Sequence, residues 1–253
     1  MTGWSIVTGA SSGIGHAVSE RLLASGRPVL ALGRRAERLA GLAERHGSLL
    51  RVARVDVRET GAVEDAVGEL AGDGVALLVN NAGLSLGLGS VADGSIEDWK
   101  VMVDTNITGL LHCVRAVLPL MRSAGAGHIV NVGSLAAEHA FYGGNVYASS
   151  KAFVHHLSAS MRADLQGTGI RVTCVAPGMV RTEFALVRFK GDQARADGLY
   201  RGICPLTAAD VADTVLWAVG TPTHVNVNYV ELMSVDQPFG LALSRSAVQE
   251  DRS

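Results

Sequence analysis

Short apolar runs rich in Val, Ile and Leu alternate along the chain with longer stretches whose apolar positions recur every three to four residues. The short runs read as buried strands and the longer ones as amphipathic helices. Strands are expected at 5–8, 28–32, 49–55, 76–80, 128–132, 171–176 and 228–233. Helices are expected at about 13–25, 35–46, 59–71, 95–124, 147–165 and 207–219. That alternation predicts a parallel sheet covered on both faces. Right-handed crossovers make it a doubly wound α/β sheet, with a ligand crevice outside the carboxyl ends of the strands.

Composition narrows the classes of function. The 253 residues are 48% hydrophobic and 18% charged, enough apolar material for one large domain over 1–253. A net charge of −2 without a basic run argues against a nucleic-acid partner. Cys113, Cys174 and Cys204 show no paired spacing, which argues against a disulfide framework or a metal site and suits a reducing, cytoplasmic setting. The N-terminus has no basic, apolar signal pattern, and no apolar run reaches the ~18 residues of a membrane span.

The chemistry-bearing residues fall at strand ends. Tyr147 and Lys151 lie four positions apart in an amphipathic run, so a helix stacks them on one face. A phenol ionises near pH 10, and bringing it down about three units takes ~4 kcal/mol of differential stabilisation. A neighbouring ammonium supplies part of that, and a cationic cofactor ring supplies more. Alternatively, the pair is simply a surface Tyr and a surface Lys on one helix.

Gly9, Ser11, Ser12, Gly13, Ile14 and Gly15 form a glycine-rich turn between the first strand and the first helix. Such a turn brings backbone N–H groups towards a diphosphate, and it lacks the lysine of an ATP-binding loop. The second strand ends in Arg34 and Arg35 without an acid. Arginine there suits a 2′-phosphate, so NADP(H) is expected rather than NAD. Asp56 and Val57 end the third strand, where a carboxylate can meet an adenine amino group. Asn80, Ala82 and Gly83 sit at the fourth strand end, either along the cofactor or as a plain turn. Asn106, a poor helix former, lies within a long helical stretch. Its amide bonds backbone and kinks the helix, or holds a water, or does both. Ser134 ends the fifth strand and either meets a substrate oxygen or caps a turn. Pro177, Gly178, Val180 and Thr182 end the sixth strand, followed by an irregular polar segment, 179–206, expected to be a substrate lid.

Taken in order, TGASSGIG at 8–15, DV at 56–57, NNAG at 80–83, Asn106, Ser134, Tyr147-x-x-x-Lys151 and PGMVRT at 177–182 resemble the short-chain dehydrogenase/reductase family over nearly the whole chain. The stretches 31–39, 143–154, 182–192 and 224–233 are most similar to its NADP-dependent 3-hydroxy acid dehydrogenases. The resemblance implies a Rossmann-like domain. It makes Tyr147 the general acid/base, and Lys151 the group that lowers the Tyr147 pKa and binds the nicotinamide ribose. It gives Ser134 the substrate oxygen, and Asn106 a water in the relay to Lys151. It also implies a homotetramer paired through the long helices, where Ala148, Ala152 and Leu111 allow close packing, and the tail 238–243 is expected to reach a neighbouring subunit.

The expected activity is interconversion of a small 3-hydroxy acid with its oxo form or semialdehyde, Arg188 or Lys190 pairing the substrate carboxylate. Reduction of sulfoacetaldehyde or a larger ketone is the alternative chemistry, and a cofactor-bound sensor without turnover is the alternative class.

Overall fold

The computed structural model describes residues 3–238, so 239–243 of the expected tail contact lie outside the described residues. The strands are β1 (Trp4–Thr8), β2 (Val29–Gly33), β3 (Leu50–Arg54), β4 (Val75–Asn80), β5 (Gly127–Val132), β6 (Ile170–Pro177) and β7 (Tyr229–Leu232). They form one seven-stranded sheet in the order β3-β2-β1-β4-β5-β6-β7, every pair parallel. The chain winds outward from β1 to β3 and then returns beside β1 as β4. That reversal opens a crevice at the carboxyl ends of β1 and β4.

The helices are α1 (Gly13–Ala24), α2 (Ala40–His46), α3 (Thr60–Gly68), α4 (Ile96–Val103), α5 (Gly109–Ala124), α6 (Asn145–Asp164), α7 (Phe184–Arg188), α8 (Gln193–Gly198) and α9 (Ala208–Gly220). Alternate strand residues feed two cores, as the period of two requires. Ile6, Leu30, Leu32, Leu78 and Ile129 pack with α3, α5 and α6. Val7, Val29, Ala31, Leu77, Val79 and Val130 pack with α1 and α9. Each such fully buried side chain contributes about 1.5–3 kcal/mol.

Three elements depart from expectation. The helix expected across 95–124 is broken by a π-helical turn at Asp104–Thr108, centred on Asn106. The run Ile96–Ala124 has the length and mean hydropathy, 1.2, of a membrane span, yet Leu110, Cys113, Val114, Val117 and Met121 turn one of its faces into the core. The helix expected from 147 starts at Asn145, which places Tyr147 in its first turn. The 179–206 segment is not irregular throughout, because it contains α7 and α8.

Candidate active site

The glycine-rich turn is held by packing that no side chain could share. Gly9 and Gly13 have φ of 65° and 54°, and a Cβ on Gly15 would lie 2.5 Å from both the Gly9 carbonyl oxygen and Asn81 Nδ2. Asn81 Nδ2 donates to the Thr8 carbonyl at 2.9 Å, and Thr8 Oγ1 accepts from the Asn81 and Ala82 N–H groups at 3.0 and 2.9 Å. The ends of β1 and β4 are thereby welded together. Ser12 N-caps α1 without a side-chain bond to the first turn, leaving those N–H groups for an anion.

The crevice is lined by Gly9, Ser11, Ser12, Gly13, Ile14, Arg34, Arg35, Asp56, Val57, Ala82, Gly83, Ser134, Tyr147, Lys151, Pro177, Gly178, Val180 and Thr182, all singled out from sequence. Gly15, Asn106 and Arg188 are not part of this lining; Arg188 instead lines a neighbouring pocket with Asp98 and Lys190. Asn80 is placed elsewhere: its Nδ2 donates to Asn131 Oδ1 at 3.0 Å inside the sheet, because a residue still within β4 points into a core layer. Asn81, which was not singled out, lines the crevice in its place.

At the end of β2, the exposed Arg34 guanidinium lines the crevice. Arg35 is already engaged, donating to Ser12 Oγ at 3.0 Å and to Glu183 Oε2 at 2.9 Å. Arg38 donates to the other oxygen of Glu183. Glu183 therefore ties the start of the 179–206 segment to the basic end of β2, and hydrogen bonds from Arg38 and Arg35 hold its carboxyl below the usual carboxylate range. The Asp56 carboxylate is held low by the Arg58 guanidinium, whose Nη2 lies 2.6 Å away. Arg38 and Glu183 escaped the sequence reading because they meet only in the fold, 145 residues apart, whereas Arg58 lies two residues from Asp56 and its pairing was open to a local reading.

Ser134, Tyr147 and Lys151 share one stretch of the crevice lining. Lys151 is buried and donates to the Val132 carbonyl at 2.8 Å; burial lowers its pKa to about 8. Burial pushes the Tyr147 phenol up, while the Arg188 guanidinium and a hydrogen bond with Ser134 pull it back down. Arg188 Cζ lies 5.2 Å from the Tyr147 ring centre and 5.1 Å from that of Phe184. The buried Nε of Arg188 has no partner among the described residues.

The Asn106 amide, set in the π-helical turn, bonds backbone, one of the roles expected of it. Its Oδ1 accepts from the Leu84 N–H at 2.9 Å, and its Nδ2 donates to the Leu84 carbonyl and Ser150 Oγ at 2.9 and 3.0 Å. Both amide hydrogens are spent on positioning the 83–84 loop against α6.

The 179–206 segment stands on a short stem. Arg181 N–H donates to the Leu206 carbonyl at 2.8 Å, and Leu206 N–H to the Met179 carbonyl at 3.0 Å. Its far side is tied by the Gly87 N–H to the Arg188 carbonyl at 2.9 Å and by Lys190 to Asp98 at 2.8 Å. Lys190 is thus a surface tie, not a group in the crevice, and its φ of 52° accommodates the sharp end of α7.

The family model for short-chain dehydrogenases matches residues 4–192. The chain belongs to the short-chain dehydrogenase family. Among relatives, it is 45% identical over 245 residues to the NADP-dependent 3-hydroxy acid dehydrogenase YdfG of Salmonella typhi, covering 95% of this chain and 99% of that one. It is 44% identical to serine 3-dehydrogenase of Agrobacterium fabrum, covering 94% and 96%. The closed form of a serine dehydrogenase complexed with NADP+ superposes with a TM-score of 0.91 at 44% identity, covering 96% of this chain and 99% of that chain. This short-chain dehydrogenase is an NADP-dependent oxidoreductase. Its crevice fits that cofactor: free α1 N–H groups for the diphosphate and a row of arginines at the end of β2 for a 2′-phosphate.

Proposed function

We propose that the protein interconverts a small 3-hydroxy acid, of the serine, allo-threonine or 3-hydroxypropionate type, with its 3-oxo acid or semialdehyde. The observation that carries this reading is Arg188. Arg188 is half-buried, and its buried Nε beside the Tyr147 ring lacks a partner among the described residues, a cost that an anion at the guanidinium offsets. A carboxylate does so with charge-assisted hydrogen bonds. Arg188, Ser134 and Tyr147 are the substrate-binding residues of this reading.

NADP(H), held by the glycine-rich turn, Arg34 and Lys151, would supply the hydride chemistry. Ser134 hydrogen-bonds the substrate oxygen and holds it beside Tyr147. Tyr147 Oη gives the proton in reduction and takes it in oxidation. Lys151 sits one helical turn along, where its ammonium holds the nicotinamide ribose and favours the phenolate. Asn106 fixes the 83–84 loop against α6, the helix that carries Tyr147 and Lys151. The protein acts as a homotetramer through α5 and α6.

The test pairs two variants. Tyr147→Phe should lower kcat by at least about 10²-fold while NADPH binding survives. Arg188→Gln should raise KM for the hydroxy acid by about tenfold or more, the loss of a charge-assisted contact. Near-normal turnover by the first removes the mechanism, and an unchanged KM in the second removes the acid substrate. A sulfonate fits the same guanidinium, so a panel containing sulfoacetaldehyde, malonic semialdehyde and neutral ketones identifies the substrate.

A further inference from the structure

We propose that Arg188 makes the proton held by Tyr147 depend on the charge of whatever occupies the substrate site. The proposal deepens the reading of Arg188 as the carboxylate partner and rests on it.

The geometry provides the coupling. The Arg188 guanidinium lies 5.2 Å from the Tyr147 ring centre and 5.1 Å from that of Phe184, and both rings line the crevice, so the cation sits directly behind the crevice wall that carries the phenol. The groups that face Tyr147 come from three elements. They are the Ser134 hydroxyl after β5, Lys151 on α6 itself, and Phe184 and Arg188 on α7. Arg188 also faces Tyr200, a neutral phenol whose hydroxyl donates to the Val180 carbonyl at 3.0 Å. Among the described residues no carboxylate pairs with Arg188, because the nearby acids are taken. Glu183 is held by Arg35 and Arg38, Asp98 by Lys190, and Asp192 caps α8.

Lys151 cannot play this part throughout the pH range. Its pKa of about 8 means that its charge fades before a buried phenol ionises, whereas an arginine keeps its charge. With the substrate site vacant or holding a neutral molecule, Arg188 draws Tyr147 towards phenolate. A bound carboxylate cancels that pull and leaves the proton on the phenol oxygen. The phenol therefore holds its proton more firmly with an oxo acid in the site than with a neutral ketone.

The experiment follows Tyr147 ionisation by phenolate ultraviolet absorbance in the NADP+ holoenzyme, taking the difference between a Tyr147-containing protein and its Tyr147→Phe counterpart. Propionate, a carboxylate with no reacting oxygen, is the probe, its binding measured by competitive inhibition. In the wild type, saturating propionate should raise the Tyr147 titration by about one unit, the lower end for a charge at this range. Arg188→Gln should titrate about one unit above the wild type without propionate and no longer respond to it. Arg188→Lys should keep part of the response. An Arg188→Gln protein that titrates with the wild type while its KM for the hydroxy acid rises overturns the coupling alone. Unchanged titration with unchanged KM, or failure of propionate to bind the wild type, overturns the carboxylate reading as well. If Arg188→Gln does not fold, the wild-type response to propionate decides, and a titration that propionate leaves in place refutes the proposal.

Discussion

Lys151 shows how much a single position depends on its surroundings. The chain specifies a lysine four residues after a tyrosine, but its pKa of about 8 comes from burial beneath β5 and the loop at Gly83. This folded value lies below the ordinary 10.5, so the sign follows directly. Below about pH 8 both states hold the proton, and the folded protein bears the full cost of a buried ammonium. Between about 8 and 10.5 the folded state releases the proton and the unfolded state keeps it, so stability rises with pH. Lys151→Met removes that cost. The apo variant should be more stable than the wild type by up to about 3 kcal/mol below pH 8, an advantage that fades towards pH 10.5. Denaturant titrations across that range check it, and a difference independent of pH would contradict the burial account. Gly15 makes the same point in backbone terms. The motif marks it as glycine, and only the fold shows that its missing side chain makes room for Asn81.

At the scale of elements, the end of β2 and the start of the 179–206 segment act together. Arg35 and Arg38 share Glu183, so of the two crevice-lining arginines the one without an ion pair among the described residues is Arg34. Arg34→Ala should therefore raise the Kd for NADPH by about tenfold or more, a charge-assisted phosphate contact, and leave NADH nearly untouched. Calorimetry with both cofactors measures this, and equal losses would reject Arg34 as the 2′-phosphate residue. The π-helical turn also belongs at this scale. Helical periodicity runs through 95–124 without interruption, so the sequence reads as one helix. The turn forms because Asn106 gains three hydrogen bonds to Leu84 and Ser150, segments far away in the chain. Propensity flags the asparagine but not its partners.

For the whole molecule, the reversal between β3 and β4 decides where everything meets. It gathers residues from positions 9 to 187 around one crevice, although they are widely spread in sequence. The outer surface carries a second consequence. Leu111 on α5 and Phe153 on α6 are 39% and 36% exposed, with Ala148 and Ala152 beside them half-buried. Apolar side chains bracketing small ones suit helix pairing between copies. Light scattering should accordingly give the mass of four 26.4 kDa chains, and Phe153→Asp should lower it. A wild-type monomer would rule the assembly out.

Local pattern by itself determined the elements and the chemistry at their ends. Periods of two and near four are written in neighbouring residues, as are the glycine turn, the basic end of β2 and the Tyr147–Lys151 spacing. Tertiary structure alone decided which of two adjacent asparagines faces the crevice, which arginine stays unpaired there, and that Asn106 braces backbone. It also placed the Arg188 cation over the phenol. Each of these is a contact between segments remote in the chain, and its energy comes from desolvation and hydrogen-bond geometry that exist only once the sheet has assembled.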